Sequence, residues 1–204
     1  CGPLPFARFM ELALYAPGAG YYEQPERIGK RGDFYTAASV GPLFGELLAF
    51  WAAENKPPDT EWNLIEAGAH DGHLAADMLG WIRTCRPDWF AALEYHIIEP
   101  SERRRAWQEK TLRPFAGKVR WRTAPPDAGV CGLMFSNELL DAFPIHRFRW
   151  NAPGRQWREM FVDWRDGRFV WTEAAPSAEP PRLPEELAAA LPDGFCTETC
   201  PAAA

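Results

Sequence analysis

Hydrophobic and polar positions follow two alternating patterns between residues 63 and 137. Short apolar runs typical of buried strands occur in EWNLIEAG, EYHIIEP, KVRWR and GVCGLMFSNELL. Between the first three of them lie runs with a helical period, HLAADMLGWIRTC and ERRRAWQEKTL, the second beginning after Ser101, a good N-cap residue. This alternation predicts parallel strand–helix–strand units, and therefore an α/β fold with helices on both faces of the sheet.

The pattern differs on either side of this stretch. PFARFMELALY and GPLFGELLAFWAAEN predict two N-terminal helices, joined by a glycine-rich, aromatic loop. IHRFRWN, QWREMFVDW and RFVWTEA predict strands, and Asp166-Gly167 is a hairpin turn signal. We therefore expect an antiparallel hairpin added to the parallel sheet, followed by a proline-rich connector and a short helix in PEELAAAL.

Three regions follow from these patterns. Residues 1–60 hold the N-terminal helices and the loop, residues 61–150 the Rossmann-like core, and residues 151–204 the hairpin, connector and short helix. A doubly wound sheet usually has five or more strands, whereas about four precede the hairpin. The expectation is an incomplete front part of a longer fold, and the alternative is a small sheet closed by the hairpin.

Composition narrows the class of partner. The net charge of −6 and the pI near 5.3 argue against a nucleic-acid-binding surface. No apolar run has the length of a membrane span, so membrane insertion is not expected. Five scattered cysteines fit a reducing compartment better than a disulfide framework, and their spacing does not favour a metal site. The sequence does not indicate an oligomeric state.

The candidate ligand site is the turn in LIEAGAHDGHLAADML. Gly68 and Gly72 lie between a strand and a helix, where an open parallel sheet binds ligands beyond the carboxyl ends of its strands. Glycine allows a sharp turn and a close approach to a ligand, and the helix N-terminus offers free N–H groups. Glu99 ends the next strand, where a carboxylate can accept hydrogen bonds from ribose hydroxyls.

The spacing and charge of this turn distinguish between cofactors. A dinucleotide fingerprint has the pattern G-x-G-x-x-G, but here three residues separate Gly68 and Gly72. Glu66, just before the turn, would repel a pyrophosphate and would suit a cation. S-adenosyl-L-methionine carries a sulfonium and an ammonium group and no phosphate, so the electrostatics favour it over NAD.

A second candidate site lies in SNELLDAFP, after the last predicted parallel strand. Asn137, Glu138 and Asp141 place polar groups where a buried strand meets the cleft. Paired carboxylates could orient a cationic guanidinium acceptor, and a hydroxyl or a small amine could use the same groups. The alternative is that Asp141 caps a helix and Glu138 is solvated.

These segments together resemble the MidA-type methyltransferases, which include the mitochondrial complex I assembly methyltransferase and bacterial relatives. The resemblance lies in PFARFMELALYAPGAGYY, GDFYTA with LFGE, IEAGAHDGHLAADML and NELLDAFPIH, in family order up to His146. The segment LPDGFCTETCPAAA also resembles the middle of the family sequence. At the centre of the turn, where the family usually has glycine, this chain has His70, whose ring would either crowd the methionine moiety or point to solvent.

The resemblance implies a class I fold that uses S-adenosyl-L-methionine. It implies a protein arginine acceptor, on a respiratory complex I subunit, for the mitochondrial member. The location would be the mitochondrial matrix in a eukaryote and the cytoplasm in a bacterium. By position, the implied cofactor-binding residues are Gly32, Asp33, Thr36, Glu66, Gly68, Gly72 and Glu99, and the implied acceptor-side residues are Asn137, Glu138, Asp141 and Pro144.

Two alternatives to an active methyltransferase remain at this level. His70 and the short length favour a non-catalytic assembly or chaperone module that keeps the fold, whereas Glu66, Glu99 and NELLDAFP favour the enzyme. An NAD-dependent oxidoreductase is disfavoured by the glycine spacing and by Glu66.

Overall fold

The computed structural model describes residues 2–24, 40–126 and 129–203. Six α-helices lie in these ranges: α1 (Phe6–Tyr15), α2 (Leu43–Asn55), α3 (His73–Cys85), α4 (Pro87–Ala92), α5 (Glu102–Thr111) and α6 (Glu185–Ala190). Nine strands lie in the same ranges: β1 (Leu4–Pro5), β2 (Asn63–Ala67), β3 (Tyr95–Ile98), β4 (Val119–Arg122), β5 (Gly132–Ser136), β6 (His146–Asn151), β7 (Gln156–Arg165), β8 (Arg168–Ala174) and β9 (Cys196–Thr199). Among the described residues, no helix is both long and apolar enough to cross a membrane.

The chain divides into two compact units. One unit is continuous, Tyr22–Leu139, and contains the predicted strand–helix alternation. The other combines Cys1–Tyr21 with Leu140–Ala204. The first unit holds the parallel sheet and the second holds the antiparallel strands.

The continuous unit is built on a four-stranded parallel sheet with the order β4-β3-β2-β5. Numbered by their order in the chain, these strands lie as 3-2-1-4, which is the start of the doubly wound order. Strands β3 and β4 are added on one side of β2 and β5 on the other, so the switch point lies between β2 and β5. The prediction of parallel strands joined through helices is therefore confirmed. The carboxyl end of β2, where the glycine turn begins, lies at that switch point.

Helix α3 fills the core of this unit because its apolar residues recur at helical spacing. Leu74, Met78 and Ile82 are buried in one cluster with Leu64 of β2 and Tyr95 of β3. Helix α2 packs on α3 through small residues, Gly45, Ala49 and Ala52, which are its buried positions. A Cβ added to Gly45 would lie 2.6 Å from Asp77 Cβ, so this helix pair has no space for a side chain there.

Strand β5 is less buried than its apolar sequence predicts. It pairs with β2 and forms an edge of the four-stranded sheet, and Met134 remains 53% exposed. A buried central strand was expected from GLMF, and that expectation is wrong for the described residues. An apolar run gives the composition of a strand, but burial depends on which elements flank it.

The second unit contains an antiparallel sheet of five strands. Strand β7 is its centre, with β8 on one side, β6 and the short β1 on the other, and β9 beside β6. The α/β fold class and the added hairpin are confirmed, but the hairpin belongs to this separate sheet rather than to the parallel one. The reason is that the backbone groups of β7 pair with β8 on one side and with β6 and β1 on the other.

Local sequence determines two features of this unit. Asp166 and Gly167 have φ angles of 50° and 76°, as a two-residue hairpin turn between Arg165 and Arg168 requires. Helix α1 packs its aromatic face on β8, with 5.0 Å between the ring centroids of Phe6 and Trp171.

The packing of α2 on α3 predicts opposite effects for two glycine-to-alanine changes. Gly80→Ala in α3 should stabilise the protein by about 0.5–1 kcal/mol, because nothing lies within 4 Å of the new Cβ and alanine favours the helix. Gly45→Ala gains the same helix propensity but should cost about 1 kcal/mol or more overall through overpacking. Denaturant unfolding measures both, and equal effects of the two changes would contradict the close packing.

Candidate functional site

The turn after β2 is fixed by residues in the left-handed region. Gly68, His70 and Gly72 have φ angles of 73°, 46° and 83°, and Gly72 is the N-cap of α3. A Cβ on Gly68 would lie 2.7 Å from Leu139 Cδ1, and one on Gly72 would lie 3.2 Å from Leu112 Cδ1. Both glycines are therefore required by backbone angle and by packing.

Glu66 is a buried acid at the start of this turn. Its side chain accepts a hydrogen bond of 2.8 Å from the Tyr95 hydroxyl, and the residue is 2% exposed. Burial raises the pKa of the Glu66 carboxyl to about 7, the Tyr95 hydrogen bond partly opposes this, and the charge of Asp71 adds to the rise. Among the described residues the Glu66 carboxylate has no cationic partner, and its raised pKa means that it accepts a proton near neutral pH.

Glu99 follows β3 and is held by donors from α5 and its N-terminus. Oε1 accepts the Ser101 N–H at 2.9 Å and Arg104 Nε and Nη2 at 3.0 and 2.8 Å. Oε2 accepts Gln108 Nε2 at 3.2 Å. Glu99 is 1% exposed, so its carboxylate is buried although the residue lies just beyond the end of β3.

Sequence reasoning missed two side chains that hold this acid, Arg104 and Gln108. Gln108 also donates to the His70 carbonyl at 3.0 Å and accepts from Trp121 Nε1 at 2.9 Å. Arg104 Nη1 donates to Glu23 Oε1 at 3.1 Å, and Ser101 Oγ donates to the same oxygen at 3.2 Å. The available signal was the spacing 101, 104, 108, which places three polar residues on one face of a helix beside a strand-terminal acid.

The histidines of the turn interact with Asp71. His73 Nδ1 lies 2.8 Å from Asp71 Oδ2, and His70 Nδ1 lies 3.6 Å from Oδ1. Burial alone would raise the pKa of the Asp71 carboxyl, but the two histidines outweigh burial and hold that pKa well below its usual range. The His70 ring packs near Trp107, with centroids 6.4 Å apart, so the ring is turned toward α5 rather than fully into solvent.

The acceptor-side residues come directly after β5. Asn137 is half-buried, and Glu138 is exposed with a φ of 49°. Asp141 is exposed in the short 3-10 helix Leu140–Ala142. In the described part of the chain, neither acid forms a hydrogen bond or an ion pair, so neither carboxylate is used by the fold.

The remaining candidates cannot be placed. Gly32, Asp33 and Thr36, the predicted cofactor-loop residues, lie outside the described residues. Among the residues that are described, no group of three or more histidine, cysteine or acidic side chains could hold a metal ion.

The residues of the turn fit the cofactor that the sequence implies. Glu66 and Glu99 are buried acids at the ends of neighbouring parallel strands, and the Gly68 N–H donates to the Ile98 carbonyl at 3.3 Å, which joins the two strand ends. Counting described partners only, Oε2 of Glu99 keeps acceptor capacity for a hydroxyl and the Glu66 carboxylate has no cationic partner. This set suits a ligand that combines a ribose with positive charge.

Comparison with known proteins gives a consistent result. A family model described as "Putative S-adenosyl-L-methionine-dependent methyltransferase" matches residues 43–204. A crystal structure of a "likely methyl transferase" from Burkholderia thailandensis, bound to S-adenosyl-homocysteine, matches with a TM-score of 0.76 and 34% identity over 99% of this chain and 53% of its own.

Curated relatives carry a more specific name. The chain is 29% identical over 195 residues to protein arginine methyltransferase NDUFAF7, mitochondrial, of Mus musculus, and 27% identical over 193 residues to its Homo sapiens counterpart. Each match covers 79% of this chain and 42% of the relative. The chain therefore spans about half the length of the proteins that it matches.

The raised pKa of Glu66 predicts a pH-dependent stability. Because the folded-state pKa of about 7 exceeds the ordinary value of 4.5, the native state binds the proton more tightly, and the wild type should lose stability as the pH rises between these values. Glu66→Gln should remove this loss, so the variant gains about 3 kcal/mol relative to the wild type between pH 4.5 and pH 8.

Denaturant unfolding at several pH values measures this slope. Glu61→Gln, the same substitution at an exposed position outside the site, is the control and should follow the wild-type slope. Parallel curves for the wild type and Glu66→Gln would show that the Glu66 pKa is not raised.

Proposed function

The chain belongs to the family of putative S-adenosyl-L-methionine-dependent methyltransferases, and from that premise we propose that the full-length protein methylates a protein at an arginine side chain. S-adenosyl-L-methionine is the cofactor of this family. The acceptor, the partner and the residues that act on them are part of the proposal.

One observation carries the proposal: two buried acids flank a left-handed glycine turn at the switch point of the sheet. Glu66 lies near the end of β2, with no cationic partner in the described ranges, and Glu99 follows β3 with acceptor capacity left on Oε2. A dinucleotide would bring a pyrophosphate to the turn beside Glu66, which is unfavourable. A cofactor with a sulfonium, an ammonium and a ribose makes use of both acids.

The bound cofactor supplies a methyl group that its sulfonium activates for in-line displacement. The turn from Gly68 to Gly72 would hold it together with Glu99 at the ribose and Glu66 toward its positive charge. Gly32, Asp33 and Thr36 are proposed to complete the cofactor loop, by their match to the family motif. The main task of these residues is to orient the methyl group and to exclude water, because proximity supplies much of the rate enhancement.

The acceptor side is proposed to consist of Asn137, Glu138 and Asp141. Both carboxylates are exposed and unused by the fold among the described residues, so they are available to a guanidinium from another protein. A carboxylate would orient the guanidinium through charge-assisted hydrogen bonds. The names of the curated relatives support arginine as the acceptor.

Partner and location follow from the resemblance and the relatives' names. The MidA-type resemblance supports a respiratory complex I subunit as the acceptor protein. Animal relatives are named mitochondrial, and a solved structure comes from a bacterium. We therefore propose the mitochondrial matrix for a eukaryotic source and the cytoplasm for a bacterial one.

Calorimetric titration distinguishes this function from its alternatives. The full-length protein should bind S-adenosyl-L-methionine and S-adenosyl-homocysteine and should not bind NAD. Binding without methyl transfer to any arginine-bearing partner would favour a non-catalytic assembly module, which the departure at His70 supports. Binding of NAD alone would contradict the proposal.

The ribose role of Glu99 predicts a loss of affinity. Glu99→Ala should weaken binding of S-adenosyl-homocysteine by about 1–3 kcal/mol, since a hydrogen bond to a charged group is removed. It should also lower the melting temperature, because Arg104 and the Ser101 N–H lose their buried acceptor. Glu109→Ala, at an exposed position of α5, is the control. An unchanged dissociation constant for Glu99→Ala would remove Glu99 from the site.

The acceptor role of Asp141 predicts a loss of rate. Asp141→Asn keeps the shape and removes the charge, so methyl transfer to an arginine-bearing partner should fall about tenfold or more. Cofactor affinity and the melting temperature should stay at wild-type values, because the carboxylate has no partner among the described residues. Asp88→Asn, at an exposed position of α4, is the control. Wild-type transfer by Asp141→Asn would leave Asp141 as a residue of the short helix only.

A further inference from the structure

We propose that Arg104 is a positioning residue that commits one oxygen of Glu99 to the protein and reserves the other for a single ribose hydroxyl. The inference deepens the proposed function and rests on it. It is carried by the arrangement of donors around two buried carboxylates, Glu99 and Glu23.

The guanidinium of Arg104 binds Glu99 in an asymmetric way. A bidentate arginine–carboxylate pair uses both carboxylate oxygens. Here Nε and Nη2 of Arg104 both donate to Oε1 of Glu99, at 3.0 and 2.8 Å, and the Ser101 N–H donates to the same oxygen at 2.9 Å. Oε1 therefore has as many donors as it can accept, and no arginine nitrogen in the described part of the chain donates to Oε2.

The other edge of the guanidinium explains why the arrangement holds. Nη1 of Arg104 donates to Glu23 Oε1 at 3.1 Å, and that oxygen also accepts from Ser101 Oγ at 3.2 Å. The side chains of Arg104, Glu23 and Glu99 are 12%, 9% and 2% exposed, so water does not screen these contacts effectively. Glu23 thus helps to hold the guanidinium of Arg104 in this orientation.

Among the described residues, Oε2 of Glu99 has one donor, Gln108 Nε2 at 3.2 Å. A carboxylate offers about four acceptor positions, two on each oxygen, so Oε2 has one position left. Glu99 can therefore accept one ribose hydroxyl without displacing a protein donor. Binding both hydroxyls, as the sequence alone suggests, would break a contact to Arg104 or Gln108.

Neighbouring arginines provide the control. Arg103 is exposed and lies near the Trp107 ring, while Arg105 Nε donates to the main-chain carbonyl of Glu99 at 2.8 Å. Three consecutive arginines on α5 therefore have three different contacts. Of these three arginines, only Arg104 contacts the carboxylate of Glu99.

The test is calorimetric binding of S-adenosyl-homocysteine and of its 2′-deoxy and 3′-deoxy counterparts to the full-length protein. In the wild type, one deoxy analogue should bind about tenfold or more weakly through loss of a contact to Glu99, and Glu99→Ala should abolish that one penalty. Arg104→Met should add a penalty for the second analogue, since Oε1 then keeps only the Ser101 N–H and has an acceptor position for the other hydroxyl. Arg104→Lys keeps the charge but lacks the planar pair of donors, and should show a smaller second penalty. Arg103→Met should keep the single penalty of the wild type.

The outcomes separate this inference from the proposed function. A wild type that binds neither S-adenosyl-L-methionine nor S-adenosyl-homocysteine contradicts the proposed function. A wild type that binds, together with an Arg104→Met variant that melts cooperatively and still penalises only one analogue, overturns only the role of Arg104. Two equal penalties in the wild type that both vanish in Glu99→Ala would show that Glu99 already binds both hydroxyls, which also overturns it. If neither Arg104 variant folds, Arg104 is a structural residue and the proposal fails.

Discussion

The candidate site depends on one buried amide, the side chain of Gln108. Its nitrogen donates to Glu99 and to the carbonyl of His70, and its oxygen accepts from the Trp121 indole. These contacts join the end of β3, the turn after β2 and strand β4 to one residue of α5. Because a buried amide is costly unless its hydrogen bonds are made, the three elements are held at fixed separations.

Three acids of the described chain lie in or beside the turn, and each has a different set of partners. Asp71 contacts two histidines, Glu99 contacts a guanidinium, and Glu66 accepts from a hydroxyl and takes up a proton near neutral pH. Of the three, only Glu66 has no histidine or arginine partner among the described residues. The charge distribution therefore favours a positively charged ligand beside β2, in agreement with the cofactor of the family.

The parallel strand–helix alternation of the core could be anticipated, because the apolar period and the turn residues are local features of the sequence. The ends of β2 and β3, and with them Glu66, Gly68 and Glu99, follow from that local pattern. The contacts of Arg104 and Gln108 were not predicted, since the spacing 101, 104, 108 marks one face of a polar helix but does not show that this face meets a buried acid. The exposure of β5 and the separate antiparallel sheet were also inaccessible, because both depend on pairing between distant segments.

The close fit between Gly68 and Leu139 links two motifs that lie about seventy residues apart in the sequence. A glycine with positive φ leaves the space that the leucine side chain occupies, so each motif sets the steric limit for the other. In evolution, a change in one of the two segments therefore limits which residues the other can accept. A bulkier residue at position 139 would be tolerated only where the backbone of the turn moved with it, and homologous chains should therefore vary at these two places together.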